Sequence, residues 1–196
     1  MKVGVTIAGR YELRESLGGG RAALFLAHDR HADRSVAVRV FDPAHVAAAD
    51  LQRYTARITA AAAVDHPAVV VPRVQIGTSE SPPFVVSEVL QGQDLADLCA
   101  HTRPMPWSRA LAIAHACAAG LAALAAGTGA AHCALRPGNV WIGADGRVRI
   151  LDFGIAELGA PPTRPRQDGT FVEYRAPEQL QGSTGDARSD VFSIGV

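Results

Sequence analysis

Strand-like and helix-like patterns occupy different parts of this chain. Between Tyr11 and Leu90, short runs of β-branched and alternating apolar residues recur between turn residues, a pattern typical of antiparallel strands. From Gly92 onward, helical patterns dominate, including a proline-free apolar stretch over Trp107–Ala126, followed by the short strand signals NVWI and RVRIL. This segregation predicts an α+β fold in two parts, a sheet-rich part and a mainly helical part.

The first part is expected to hold five antiparallel strands and one helix. The helix is predicted over His45–Val64, which contains no internal proline or glycine. The strands are predicted over Tyr11–Leu17, Ala22–Asp29, Arg34–Phe41, Ala68–Gly77 and Pro82–Leu90. The domain boundaries that follow are a lead-in over 1–10, a sheet-rich lobe over 11–91 and a mainly helical lobe over 92–196.

Composition excludes several classes of function. The 19 basic residues balance 19 acidic ones, and no polybasic block marks a surface for nucleic acid. The three cysteines, Cys99, Cys117 and Cys133, fit neither a disulfide framework nor a CxxC metal site, so we interpret them as reduced cytosolic thiols. The uncharged stretch between Arg109 and Arg136 is rich in Ala and Gly, which favours a buried core helix over a membrane span.

Five short motifs follow one another along the chain. They are a glycine triplet at 18–20, VAVR at 36–39, HCALRPGN at 132–139, DFG at 152–154 and APE at 176–178. This series resembles the eukaryotic-type bacterial serine/threonine protein kinases, whose set is a Gly-rich loop, VAIK, HRDLxxxN, DFG and APE. The resemblance covers Tyr11–Val196 and implies a bilobal kinase-like fold. Its C-lobe is expected to be partial, because Val196 falls within the family's central helix.

The departures from the family pattern occur at positions that the resemblance assigns to the catalytic reaction. Ala134 stands where the resemblance implies the aspartate that takes the proton of the attacking hydroxyl, and Cys133 replaces the neighbouring arginine. A methyl group accepts no proton, and general base catalysis contributes roughly 10²–10⁴-fold to the rate. Arg136 replaces the lysine expected near the transferred phosphate. The sequence thus predicts a loop without an intact catalytic residue.

The cation of the VAVR strand is also altered. The resemblance implies a strand lysine at Arg39 that holds phosphates and pairs with a helix glutamate, but that glutamate position is Arg57. Two cations cannot form the bridge, and at about 4 Å they repel by roughly 1–4 kcal/mol. We expect Arg57 to turn to solvent and Arg39 to approach Asp152 instead.

The resemblance implies a nucleotide-binding set drawn from the Gly-rich loop, the sheet, the connection between lobes and the strand after the loop. Its members are Gly18, Gly20, Leu24, Ala37, Arg39, Glu88, Leu90 and Trp141, with a small residue, Ser87, at the gatekeeper position. The triplet is interpreted either as a simple hairpin turn or as a phosphate cradle, with Arg21 as a substitute cation. Trp141 either fills the adenine slot or stacks on a base.

Other family positions are retained. Asn139 and Asp152 are the pair expected to hold magnesium, because both carry the oxygen donors that this cation prefers. Glu178 and Asp190 are structural residues in the family, and Asp190 is expected to cap the backbone of the catalytic loop. Their presence predicts a retained scaffold.

These features predict a catalytically inactive, pseudokinase-like domain that binds or regulates a protein partner or client kinase. The alternatives are a weak or unconventional ATP-dependent serine/threonine kinase and a remnant without function. ATP and Mg²⁺ remain open as cofactors, and neither nucleic acid nor a membrane span within the chain is expected. The expected location is the cytoplasm, with tethering to the inner face of the membrane through further sequence as an open alternative.

Overall fold

The computed structural model describes residues 2–18, 22–42, 44, 46–75, 82–102, 104–154 and 172–196. The chain forms two compact units. The first unit comprises Met1–Thr55 and Pro72–Leu90, and the second comprises Ala56–Val71 and Gln91–Val196.

An antiparallel sheet forms most of the first unit. Its strand order is β1-β2-β3-β4-β6-β5, and every neighbouring pair is antiparallel. The strands are β1 (Thr6–Ile7), β2 (Tyr11–Gly18), β3 (Ala22–Asp29), β4 (Arg34–Phe41), β5 (Arg73–Gln75) and β6 (Phe84–Glu88). The fold class is confirmed, each of the five predicted strands has a counterpart in the sheet, and the two-residue β1 adds a sixth strand to its edge.

Alternation of side chains builds the core of this sheet. On β4, Val36, Val38 and Val40 are buried, while Ala37 and Arg39 between them are only partly buried. This is the two-residue period expected of a strand with one core face. Tyr11 and Phe84 complete the same core with an edge-to-face contact, their ring centroids 5.7 Å apart.

Of the predicted strand over Ala68–Gly77, Arg73–Gln75 forms a strand, and 76–77 lie outside the described residues. Pro72 offers no backbone N–H, so a continuous ladder through it is disfavoured. Before the proline, Val70 N–H donates to Ile150 O and Ile150 N–H donates to Ala68 O at 2.7 Å. After the proline, β5 pairs with β6. The run is therefore divided between the two units.

The second unit holds a three-stranded antiparallel sheet and most of the helices. The sheet order is β7-β8-β9, formed by Gly92–Asp94, Val140–Gly143 and Val148–Ile150. The helices are α1 (Ala48–Ala61), whose first half belongs to the first unit, α2 (Leu95–His101), α3 (Trp107–Thr128), α4 (Pro177–Leu180) and α5 (Ala187–Gly195). A short 3-10 turn over Pro137–Asn139 precedes β8.

Helix α3 supplies the core of the second unit. Ile113, Cys117 and Leu121 are buried against Leu135 and the inner faces of β8 and β9. The helix extends past its predicted end near Gly127 to Thr128, because Gly129, with φ of 66°, adopts the left-handed cap conformation. By length and composition alone, α3 is also apolar enough to cross a membrane.

An ion pair joins the turn between β1 and β2 to the end of β3. Arg10 donates to both carboxylate oxygens of Asp29 at 2.7 Å, and Asp29 also accepts the backbone N–H groups of His31 and Ala32. The hydrogen bond from Arg10, followed by these backbone donors, holds the pKa of Asp29 well below its ordinary value of 3.8.

We expect Asp29→Asn to flatten the acid limb of the stability curve. A carboxyl whose folded pKa is depressed stabilises the fold above its unfolded pKa, and that contribution is lost as the pH falls through the folded value. The wild-type free energy of unfolding should therefore decrease from about pH 4 downward, and Asp29→Asn should decrease less steeply. Urea unfolding between pH 2 and 6 checks this, and parallel curves for the two proteins would contradict it.

Candidate functional site

Helix α5 holds the loop that carries the HCALRPGN motif. The two carboxylate oxygens of Asp190 accept the backbone N–H groups of His132 and Cys133, each at 2.7 Å. Asp190 is buried. The expected capping role of Asp190 is confirmed.

The electrostatics of Asp190 balance burial against hydrogen bonding. Burial raises the pKa of Asp190, while the N–H donors of His132 and Cys133 stabilise the ionised form and oppose that shift. Cys133 has φ of 57°, a left-handed conformation that costs a non-glycine residue about 1–3 kcal/mol. The surrounding contacts therefore impose the shape of the loop.

His132 connects this loop to the DFG segment. It is fully buried, and its Nε2 lies 2.8 Å from Leu151 O. Its ring packs edge-on against Phe153, with centroids 6.2 Å apart. Phe153 in turn packs with Ala61 and Leu124. The loop, the DFG segment and the end of α1 thus share one buried cluster.

The loop carbonyls are also satisfied. Gln179 Nε2 donates to Cys133 O at 2.8 Å, and Asn139 Nδ2 donates to Ala134 O at 2.9 Å. The half-buried Ala134 sits within this framework with a methyl group as its side chain. Hydrogen bonds to Asp190, Gln179 and Asn139 therefore fix the backbone of the loop, which has no proton acceptor in the side chain at position 134.

The predicted metal ligands Asn139 and Asp152 lie at the two ends of the β8–β9 hairpin. Leu151 N–H donates to Asn139 O at 2.8 Å, which ties their backbones together, and Asp152 has φ of 63°. Asn139 is buried, and within the described ranges its Oδ1 is the buried side-chain oxygen that has no hydrogen-bond partner. A buried oxygen with unused lone pairs fits a hard cation such as magnesium, and Asp152 offers a carboxylate one residue after Leu151.

The prediction that Arg57 turns to solvent is wrong. Its Nη1 donates to Ala131 O at 3.1 Å, and the side chain is half-buried. The repulsion argument considered only the cation at Arg39, whereas the carbonyl before His132 offers Arg57 a partner within the second unit. The expected approach of Arg39 to Asp152 stays a prediction.

The sheet of the first unit places three predicted nucleotide-site residues together. Leu24, Ala37 and Arg39 share the face opposite the core, since their neighbours in sequence on β3 and β4 point inward. Leu24 is paired with Arg39 in the register. Ser87, Glu88 and Leu90 lie at the end of β6 and just after it. Gly18 has φ of 153° and ends β2, while Gly20 and Arg21 lie outside the described residues.

Trp141 lies on the outer face of the small sheet, opposite the core side of Val140 and Ile142. Its Nε1 lies 3.4 Å from the carbonyl oxygen of Gln91, where the chain enters the longer stretch of the second unit. A Cβ added to Gly92 would lie 2.9 Å from that nitrogen and 2.1 Å from Ile142 O. Gly92 therefore makes room for the indole. That Trp141 fills a nucleotide slot, with stacking on a base as the alternative, stays a prediction.

Two further predicted residues have local partners. The guanidinium of Arg136 folds over Gly138, where an added Cβ would lie 2.8 Å from Arg136 Nη1. Glu178 accepts the hydroxyl of Ser189, and this bond lowers the pKa of Glu178. The hydroxyl thus stabilises the carboxylate, and the nearby charge of Arg188 adds a smaller contribution of the same sign.

Sequence reasoning missed the contacts of Gln179 and Arg57 with the loop. Both donate to backbone carbonyls, which leave no trace in a count of charged or apolar side chains. The one available signal was the position of Gln179 directly after the APE motif.

Comparison with known proteins agrees with this architecture. The model of the protein kinase domain family matches residues 11–196. The chain is 36% identical to the serine/threonine-protein kinase PknB of Mycobacterium leprae, an alignment that covers 96% of this chain and 32% of PknB. It is also 36% identical to the serine/threonine-protein kinase pkn2 of Myxococcus xanthus, covering 98% of this chain and 24% of pkn2. The chain thus spans a third or less of these relatives.

Solved structures show the same fold. The crystal structure of the Mycobacterium tuberculosis PknI kinase domain is similar with a TM-score of 0.76 at 25% identity, covering 99% of this chain and 72% of that one. The family match covers nearly the whole chain, and the relatives and this neighbour are bacterial. The chain therefore belongs to the protein kinase family, among its bacterial eukaryotic-type serine/threonine members.

Proposed function

We propose that this chain is a catalytically inactive kinase-fold module that acts by binding, as a regulatory partner of another protein such as a client kinase. One observation carries the proposal. Ala134, at the proton-acceptor position, sits in a loop whose neighbouring groups are hydrogen-bonded to Asp190, Gln179 and Asn139. These hydrogen bonds fix the backbone of the loop, but the loop lacks the catalytic base that the family carries at this position.

The missing carboxylate accounts for the inactivity. In the family's reaction an aspartate orients the acceptor hydroxyl and takes its proton as the phosphoryl group moves. The Ala134 methyl can do neither. The backbone N–H of Ala134 donates to His132 Nδ1 at 3.3 Å, so the Nδ1 atom of the imidazole already accepts a hydrogen bond within the loop. A loss of roughly 10²–10⁴-fold in rate follows from the absent base alone.

The residues for a metal-bound nucleotide are retained in part. Asn139, through its buried Oδ1, and Asp152 would hold magnesium, which supplies neutralising charge to phosphate oxygens when it is bound. Arg136 adds a cation on the same loop. These groups favour the second candidate function, a weak or unconventional serine/threonine kinase in which the substrate or another group takes the proton.

Transfer of label from γ-labelled ATP to serine and threonine peptides tests the proposal. We expect the wild-type chain with magnesium to label these peptides no faster than Asp152→Asn, which removes a metal ligand. Labelling that exceeds this control would favour the second candidate function.

We expect Trp141→Leu to increase the affinity for magnesium-ATP. If the indole fills the slot that the resemblance assigns to adenine, a smaller aliphatic side chain opens it. At about 1 mM nucleotide, a Kd of about 0.1 mM would raise the melting temperature by about 3–6 °C. Wild type should show no comparable shift.

The matched control for this prediction is Trp107→Leu. Trp107 is 78% exposed at the start of α3, so its replacement removes an indole without opening any space near β8. Equal nucleotide-induced shifts in wild type and Trp141→Leu would contradict the filling interpretation and favour stacking.

A further inference from the structure

The end of helix α1 meets the catalytic loop at a contact that the family motifs do not predict. Arg57 Nη1 donates to Ala131 O across 74 residues of sequence. Ala131 directly precedes His132, whose N–H donates to Asp190. Arg57 is thus the donor to the carbonyl at which the loop begins.

Packing around Arg57 fixes the same end of the helix. Ala61 lies one turn after Arg57 on the same helix face and is fully buried against Leu124 and Phe153. Ile58, beside Arg57, is also fully buried. These contacts leave the last turns of α1 little freedom to move.

Gly127, near the end of α3, faces the segment that follows α1. A Cβ added to Gly127 would lie 2.5 Å from Val64 Cγ2, closer than real contacts allow. The absent side chain lets the segment after α1 lie directly against the end of α3. This approach brings the helix within reach of the loop that follows α3.

We propose that Arg57 is a positioning residue that holds the loop Ala131–Ala134 against helix α1. A guanidinium donates a charge-assisted hydrogen bond, which is stronger than a neutral one, and it remains charged at any pH near neutrality. The hydrogen bond from Arg57 to Ala131 O therefore needs no second ionisable side chain. It lies wholly within the second unit.

This role differs from a general contribution to stability because it is local. Loss of Arg57 leaves Ala131 O without its charged donor, beside a backbone at Cys133 that is held in a left-handed conformation. The strained loop should then open more often than the sheet of the same unit. Hydrogen exchange and cysteine alkylation involve no phosphoryl transfer, so they test this inference independently of the proposed function.

Amide hydrogen exchange of Arg57→Met tests the inference under native conditions. Met keeps an unbranched apolar stem and removes the donor. We expect the amides of 132–134 to exchange about 10-fold faster or more, the factor expected for losing a hydrogen bond from a charged donor. The amides of Ile142 and Ile150 in the small sheet should keep their wild-type rates.

Alkylation of Cys133 gives an independent readout of loop opening. Iodoacetamide labelling mapped by mass spectrometry should be faster at Cys133 in Arg57→Met, with Cys99 on α2 as the internal reference. Arg57→Lys, which keeps a charged donor, should restore slow labelling at least in part. If Arg57→Met does not fold, Arg57→Gln carries the same comparisons.

Arg53→Met is the matched control. Arg53 lies on the same helix, is exposed, and pairs with Asp50, so the same substitution there should change neither exchange nor labelling of the loop. The inference is overturned if Arg57→Met and Arg53→Met give the same loop exchange. It is also overturned if the rates in Arg57→Met rise equally in the loop and in the small sheet.

Discussion

Replacing Ala134 with Asp is expected to raise phosphoryl transfer to a hydroxyl-bearing peptide by about 10²–10⁴-fold over the wild-type background. The substitution restores a carboxylate at the position where the family places its proton acceptor. The loop is already held by Asp190, Gln179 and Asn139, so the new side chain would enter a formed framework. Ala134 is half-buried, which leaves part of its surroundings open to solvent.

Two controls separate this gain from other effects of the substitution. Ala134→Asn adds a side chain of the same shape without a base, and it should stay at the wild-type level. The double variant Ala134→Asp/Asp152→Asn should lose the gain, because it removes the predicted metal ligand Asp152. The assay is run in the wild-type and Trp141→Leu backgrounds, so that weak nucleotide binding does not mask the effect. No gain in a folded, nucleotide-binding Ala134→Asp variant would contradict the account.

Asp190→Ala is expected to lower the free energy of unfolding by about 2–6 kcal/mol. Asp190 is buried, and its two oxygens accept the N–H groups of His132 and Cys133. Removing the carboxylate leaves two donors without an acceptor, and each buried unsatisfied group costs about 1–3 kcal/mol. The left-handed backbone of Cys133 would lose the contacts that support it.

Urea unfolding measures this loss, with the slope of the transition held constant between variants. Asp186→Asn is the control on the same helix. Asp186 is an exposed N-cap, and Asn caps helices as well as Asp does, so a much smaller loss is expected. Similar losses for the two variants would show that Asp190 does not fix the loop.

The sheet could be predicted from the sequence because its signal is local. The alternation of Val36, Val38 and Val40 with polar or small neighbours identifies β4 and its core face without any tertiary information. Strand β1 could not be predicted in this way, since the two residues Thr6 and Ile7 are too few to show a period. Its pairing depends on β2 lying beside it.

The candidate site was predictable only where a side chain carries the signal. The position of Asp190 and the methyl at Ala134 follow from motif positions alone. The contact from Arg57 to Ala131 joins a side chain to a distant carbonyl, and its formation depends on how α1 packs near Gly127. A pairwise charge argument pointed Arg57 to solvent because it left backbone acceptors out.

We propose that this kinase-fold chain lacks the proton acceptor that lets a hydroxyl group attack the phosphate. A single-turnover experiment with the chain in excess over γ-labelled ATP and magnesium tests it most directly, because product release then does not limit the signal. We predict that the wild-type chain transfers no more label to serine or threonine hydroxyls than Asp152→Asn does. Label that accumulates with the wild-type chain and is abolished by Asp152→Asn would contradict the claim.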